Sequence, residues 1–193
     1  MSPGCAVHSE VSSPPLVVDL DGTLTPTDTL VESLLRLIRQ SPLSLFQLPL
    51  WLSRGRAAFK AEVSARATVD GDSLPYRPAV MGYLKEQKER GRKLVLATAA
   101  HGRIANSVAQ HLQLFDQVIA TRGDSNLKGL ANLKAIREQV GDSFVYAGDH
   151  EADLPIWRAA EAAVLVGTKP SLSRQVRENV AIEKEFSEEP LQL

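Results

Sequence analysis

The segment Val17-Val18-Asp19-Leu20-Asp21-Gly22-Thr23-Leu24 places two carboxylates two residues apart, where an apolar run ends and a glycine permits a sharp turn. Three later segments offer partners. Leu96-Ala97-Thr98-Ala99-Ala100 ends an apolar run in a hydroxyl just before a predicted helix, whose unpaired N–H groups favour an anion. Asn126-Leu127-Lys128-Gly129 supplies a lysine, and Val145-Tyr146-Ala147-Gly148-Asp149 is followed four residues on by Asp153. Each segment also has a plainer reading. Asp21-Gly22 can be a solvated turn, Thr98 a helix cap, Lys128 a surface lysine, and Asp149 and Asp153 acids favoured by a helix dipole. A single acidic strand end cannot specify a reaction, so the segments have to be weighed together. His101 and Arg103 follow Thr98, either touching a substrate or simply exposed at a helix start.

Such residues need a scaffold that brings distant segments to one edge. Short aliphatic runs recur at Leu16–Leu20, Lys93–Ala97, Val118–Ala120, Phe144–Ala147 and Ala163–Val166, with helical spacing between them, as in Ile104, Val108, Leu112 and in Leu130, Leu133, Ile136, Val140. The runs are nearly continuous rather than alternating, as strands buried on both faces require. The expected fold class is therefore α/β, a doubly wound, Rossmann-like parallel sheet, and ligands bind beyond the carboxyl ends of such strands. One connection is too long. Leu20 and Lys93 are 73 residues apart, whereas a whole βαβ unit needs about 30. The surplus reads as an inserted helical subdomain with helices over Asp28–Gln40, Ser44–Ser53 and Arg56–Thr68, a return loop over Asp70–Pro75, and a further helix over Pro78–Arg90 leading back to the sheet. The expected division is a core of residues 14–26 and 76–182, a helical insertion of residues 27–75, and flexible tails at 1–13 and 183–193.

In order, D-x-D-G-T, a hydrophobic strand ending in Thr, then Lys, then G-D-x-x-x-D resembles the four motifs of the haloacid dehalogenase superfamily of phosphohydrolases, over about Leu16 to Val166. The resemblance implies the fold of that family, with the insertion as its small cap, and a Mg²⁺-dependent phosphatase acting through an aspartyl-phosphate. It implies Asp19 as nucleophile and Asp21 as the acid and base that serves the leaving oxygen and then water. Mg²⁺ is expected on Asp19, the backbone carbonyl of Asp21 and Asp149. Thr98 and backbone amides near Gly22 and Ala99 are expected to hold phosphate oxygens, Lys128 to neutralise charge, and Asp153 to orient Lys128 or a bound water. An acid at Asp21 favours phosphatase over dehalogenase chemistry; phosphotransferases share the motif. A family member that has lost turnover and serves as a regulatory or docking module is the non-enzymatic alternative.

Composition narrows the partners. A net charge of −1 with 5% aromatic residues argues against nucleic acid. Cys5 is the only cysteine, so no intrachain disulfide or thiolate zinc cluster forms. Met1–Pro15 lacks Lys, Arg and an apolar core, and a cytoplasmic location is expected. The longest greasy run, Leu43 to Leu52, is broken by Pro49 and falls short of the about 20 residues that span a bilayer. Thirteen of the twenty-three residues from Leu30 to Leu52 are Leu, Ile, Val, Phe or Trp, and residues 30–66 carry six Lys or Arg against Glu32 and Glu62. A greasy, basic cap either meets a bilayer or lipid phosphate, or packs on itself or in a dimer. The cap, LATAA and GDHEADLPIW are also similar to the phosphatase-like domains preceding bacterial UbiA-type membrane prenyltransferases. That likeness implies a polyprenyl-linked phosphate as substrate at the cytoplasmic face of a membrane; a soluble metabolite, as for phosphoserine phosphatase, is the alternative.

Overall fold

Leu16–Val18 (β1) contains only aliphatic side chains, and all three are fully buried. Such a strand is stable only with a neighbour on each edge and a helix layer on each face. In the computed structural model, which describes residues 13–55, 59, 62, 63, 65, 66, 70–121 and 129–187, β1 receives both. Leu94–His101 (β2) and Val145–Gly148 (β4) flank it in parallel, with Val17 opposite Val95 on one side and Tyr146 on the other. Gln117–Thr121 (β3) extends the sheet beyond β2, and Ala162–Val166 (β5) and Ala181–Phe186 (β6) extend it beyond β4. The order is β3-β2-β1-β4-β5-β6, all parallel.

Helices Pro78–Glu89 and Gly102–Leu112 bring Val80, Leu84, Ile104 and Val108 onto one face, against Leu16, Val18, Leu94 and Leu96. The other face takes Leu133, Ile136, Ile156, Trp157, Leu172 and Val176, from Leu130–Gln139, Leu154–Trp157 and Pro170–Arg177, against Val17, Val95 and Tyr146. Alternate residues of one strand thus feed two cores. Each fully buried aliphatic side chain contributes about 1.5–3 kcal/mol, so the sheet centre is where most of the described fold's hydrophobic stabilisation lies.

The insertion after β1 opens with Thr29–Gln40 (α1), capped by Asp28, whose carboxylate accepts the N–H groups of Leu30 and Val31. Where one helix over Ser44–Ser53 was expected, the chain forms a 3₁₀ segment, Pro42–Gln47, and then Leu48–Ser53 (α2). Pro49 lies in the first turn of α2, where a missing N–H costs little. Residues 59, 62, 63, 65 and 66 are helical; the rest of the predicted Arg56–Thr68 helix lies outside the described residues. Leu37, Trp51 and Val63 form the cap's own buried cluster. The remaining helices, in chain order, are α3 (Pro78–Glu89), α4 (Gly102–Leu112), α5 (Leu130–Gln139), α6 (Leu154–Trp157) and α7 (Pro170–Arg177).

Two boundaries differ from expectation. Glu183–Phe186, expected in a flexible tail, belongs to β6 and pairs with β5, and the Glu183 carboxylate binds the buried Arg92 guanidinium. Its charged, mostly exposed sequence is that of an edge strand, which proteins decorate with charges to prevent further pairing. β2 also runs past Ala97 to His101, with a register shift between Thr98 and His101.

Candidate active site

In the order β3-β2-β1-β4-β5-β6, connections leave in opposite directions from β1 and β4. Beyond the carboxyl ends of these two strands a crevice must open. Asp19 follows β1 and Asp149 follows β4, so the topology brings together carboxylates 130 residues apart in sequence. A cleft of about 370 Å³ lies there, lined by Asp19, Asp21, Gly22, Ala99, Asp149 and Asp153 together with Pro26, Thr27 and Asp28 from the root of the cap and Gly129 and Asn132 from the start of α5.

Six of the eight residues singled out in the sequence therefore share one cavity. Thr98 is fully buried in β2 beside it, its hydroxyl oxygen accepting the Ala100 N–H at 3.0 Å. The helix cap at this strand end is His101 rather than Thr98, with Nδ1 accepting the Arg103 N–H. Lys128 lies outside the described residues.

The loop after β1 depends on Gly22. Its φ of +83° suits glycine, and a Cβ there would collide with the Asp149 carboxylate. Thr23 donates to Asp149 Oδ1 at 3.2 Å, tying the first acidic segment to the last. Arg77, from the return to α3, donates from Nε and Nη2 to the Gly22 carbonyl at 3.3 and 3.2 Å. Asp21 is held differently. Its Oδ1 accepts the Thr29 N–H, the first residue of α1, at 2.8 Å, so the N-terminus of the cap's first helix orients this carboxylate and its dipole favours the anion.

Asp153 is buried and already engaged. Oδ2 accepts the N–H groups of Asp149 and His150 at 3.2 and 3.1 Å, and Oδ1 accepts the Tyr146 hydroxyl at 3.2 Å. Gly148 makes this possible, since a Cβ there would stand 2.6 Å from Asp153 Oδ2. Asp153 thus shapes the turn that carries Asp149.

Crowded carboxylates oppose their own ionisation. Burial first, then the charges of Asp153, Asp21 and Asp149, hold the Asp19 carboxyl well above its usual range, against one N–H bond from Leu20. Burial, then Asp153, raises Asp149 to about 6, opposed by the Thr23 hydroxyl, His150 and Arg77. Asp153 is raised as well, chiefly by burial. One oxygen from each of Asp19, Asp149 and Asp153 lies within 4.8 Å of the others. A compact set of hard oxygen donors fits a small divalent cation such as Mg²⁺.

With this geometry in view, comparison with known proteins is decisive at the level of family. The haloacid dehalogenase-like hydrolase pattern matches residues 16–158. The chain belongs to that family. It is 39% identical over 165 residues to the uncharacterized protein y4nM of Sinorhizobium fredii, a match that covers 85% of this chain but 32% of that relative. In fold, the chain is similar to a protein of unknown function from Bordetella pertussis Tohama I, with a TM-score of 0.62, 16% identity, and coverage of 90% of this chain and 99% of the other. It is also similar to phosphoserine phosphatase in a substrate-bound complex, with a TM-score of 0.59, 15% identity, and coverage of 95% and 97%.

Arg77, Thr29 and Asn132 were not singled out in the sequence. Arg77 acts through the carbonyl of a residue 55 positions away and Thr29 through its backbone N–H, and neither leaves a residue-type signal. Asn132 reads as one polar position in an otherwise ordinary helix.

Proposed function

We propose that this chain is a Mg²⁺-dependent phosphomonoester hydrolase with Asp19 as nucleophile. The observation that carries the reading is the grouping of Asp19 with Asp149 and Asp153 at the switch point of the sheet, beside an Asp21 oriented by the cap. An Asp19 carboxylate oxygen attacks phosphorus as the ester P–O bond breaks, and Asp21 gives its proton to the departing oxygen. Asp21 then takes a proton from water, whose oxygen displaces the Asp19 carboxylate from phosphorus and releases orthophosphate. Asp19 and Asp149, with the Asp21 carbonyl, would hold Mg²⁺, while Asp153 keeps Asp149 in place. When bound, the ion supplies positive charge where substrate and carboxylates otherwise repel. Ala99 and the Gly22 loop line the phosphate side, with Thr98 behind them, and Lys128 is assigned the remaining neutralisation by its motif.

The substrate is a phosphorylated small molecule, and one observation favours a lipid-linked one. Of the seven exposed large hydrophobic residues among the described ones, six are in the cap: Val31, Leu35, Leu43, Phe46, Leu50 and Leu52, with Leu43 75% and Phe46 83% exposed. The six Lys or Arg against two Glu in residues 30–66 give the cap segment a basic balance that suits an anionic lipid. No helix among the described residues is long and apolar enough to cross a membrane. A polyprenyl-linked phosphate, presented beside a membrane prenyltransferase at the cytoplasmic face, is the finer form of this reading. A phosphoserine-like metabolite is its rival.

The test is hydrolysis of p-nitrophenyl phosphate with and without Mg²⁺. Metal-dependent turnover that falls on the order of 10⁴-fold or more in Asp19→Asn, with the fold intact by circular dichroism, is expected. Turnover that survives in Asp19→Asn would sink the assignment. Comparing soluble with lipid-linked phosphomonoesters then separates the two substrate classes.

A further inference from the structure

Arg77 stands where the return from the cap enters α3, and its backbone is fixed from both sides. Its N–H donates to the Leu24 carbonyl at 3.1 Å, and its carbonyl accepts the Met81 N–H of α3 at 3.0 Å. Just before it, Tyr76 donates its hydroxyl to the Gly71 carbonyl and stacks on His111 of α4, with ring centroids 6.0 Å apart. Gly71 in turn donates its N–H to Ser107 Oγ, also of α4, at 2.9 Å. From this anchored base the guanidinium places two N–H groups on the Gly22 carbonyl, at 3.3 and 3.2 Å. A planar fork with both prongs on one oxygen fixes the direction of that peptide, as a single flexible donor does not.

Arg77 thus holds a carbonyl of each chain neighbour of Thr23. Thr23 is fully buried and donates its hydroxyl to Asp149 Oδ1 at 3.2 Å, and Gly22 approaches the same carboxylate so closely that a Cβ has no room. Arg77 itself is not among the residues that line the cleft. We propose that Arg77 is a positioning residue: by holding the Gly22 and Leu24 carbonyls it fixes Thr23, and through the Thr23 hydroxyl it sets the Asp149 carboxylate against Asp19 across the junction of β1 and β4. This goes beyond the phosphatase reading and rests on it for its effect on rate. Because Arg77 follows the return loop, the same bonds tie the seat of the cap to the acids of the cleft.

The test is a double-mutant cycle on Arg77→Met and Thr23→Val, with p-nitrophenyl phosphate as substrate. Arg77→Met should lower kcat about 30-fold while KM changes less than about 3-fold, since the residue orients a site acid and touches no substrate. Thr23→Val alone should lower kcat about 10-fold, and the double variant should fall no more than about 3-fold below Arg77→Met, because both changes break one route. A kcat within about 3-fold of wild type in Arg77→Met overturns the proposal, and so does a loss confined to KM or a double variant whose losses multiply. If circular dichroism shows Arg77→Met unfolded, Arg77→Lys takes its place in the cycle, with the same outcomes and a kcat loss of about 5-fold. Calorimetry with Mg²⁺ separates this proposal from the one beneath it. If wild type turns over nothing, the hydrolase reading fails, and Mg²⁺ binding that weakens about 10-fold in the Arg77 variant still supports the positioning role. Equal Mg²⁺ binding by both proteins, or none by either, removes it.

Discussion

Trp157 and Trp51 are 0% and 3% exposed, yet they sit in different kinds of surroundings. Trp157 donates its indole N–H to the Tyr146 carbonyl at 3.2 Å and meets the Tyr146 ring edge-on, with centroids 6.3 Å apart, in a cluster fed by five strands and three helices. Among the described residues, Trp51 shares its cluster with Leu37 and Val63 as buried partners, and the Arg66 guanidinium covers its ring at 4.5 Å. One tryptophan lies directly beneath β4, the strand that Asp149 follows, and the other holds together a small layer whose outer apolar side chains face solvent. The sheet has spent its apolar residues on rigidity, where positioning to a fraction of an ångström sets the rate. The cap keeps Val31, Leu35, Leu43, Phe46, Leu50 and Leu52 outside, the surface proposed above to meet a lipid-linked substrate.

The sharpest test of that contrast uses the two tryptophans. Trp157→Ala should cost about 3–5 kcal/mol and abolish activity through loss of the fold. Trp51→Ala, with a smaller cluster to disrupt, should cost about 1–3 kcal/mol and leave hydrolysis of a small aryl phosphate within a few-fold of wild type. Urea titrations of both variants provide the comparison. Equal losses would mean that cap and sheet unfold as one unit and that the distinction between them has no energetic content.

A smaller effect separates recognition from chemistry. Phe46→Glu replaces a ring exposed to 83% and should leave stability and aryl phosphate hydrolysis unchanged, while binding to phosphatidylglycerol vesicles drops about 10-fold. Sedimentation with vesicles, alongside chromatography with light scattering, reads both outcomes. If wild type ignores vesicles but self-associates, and Phe46→Glu breaks that association, the exposed cap surface is a dimer contact instead.

The central strands were legible because Leu16–Val18 and Val145–Ala147 are short, continuous apolar runs, the pattern of strands buried on both faces, and helical spacing lies between them. The acids were legible because Asp19 and Asp149 stand directly where those runs stop. β6 was missed because an edge strand with Glu183, Lys184 and Glu185 carries neither a continuous nor a cleanly alternating apolar pattern. Arg77 and Asn132 were missed for a different reason. Their roles arise from distance in the folded chain, to a glycine carbonyl and to a cleft wall, and no local spacing encodes them. The 3₁₀ segment before α2 was hidden because Leu43, Phe46 and Leu50 satisfy a helical period whether or not they are buried.

The smallest effect concerns the acids themselves, and its sign follows from their crowding. Asp149 is raised from 3.8 to about 6 in the folded protein, chiefly by burial and then by Asp153. Between those values the folded state keeps a proton that the unfolded state has released, so this group makes metal-free stability fall as pH rises, with the full penalty present above about 6. Below 3.8 both states are protonated and the penalty vanishes. Asp19, raised in the same direction, adds to the effect. A divalent cation replaces the proton in offsetting the charge, so Mg²⁺ should raise the melting temperature by a few degrees at pH 7.5 and by little at pH 5. Asp149→Asn should flatten both the pH slope of the metal-free protein and the response to Mg²⁺. Differential scanning calorimetry of wild type and variant at the two pH values, with and without Mg²⁺, measures all of these. A Mg²⁺ shift of equal size at both pH values, or one that survives in Asp149→Asn, would mean that the cation binds somewhere other than the junction of β1 and β4. The crowded carboxyls of that junction would then be no metal site, and the sheet half of the molecule would lose its claim to the chemistry.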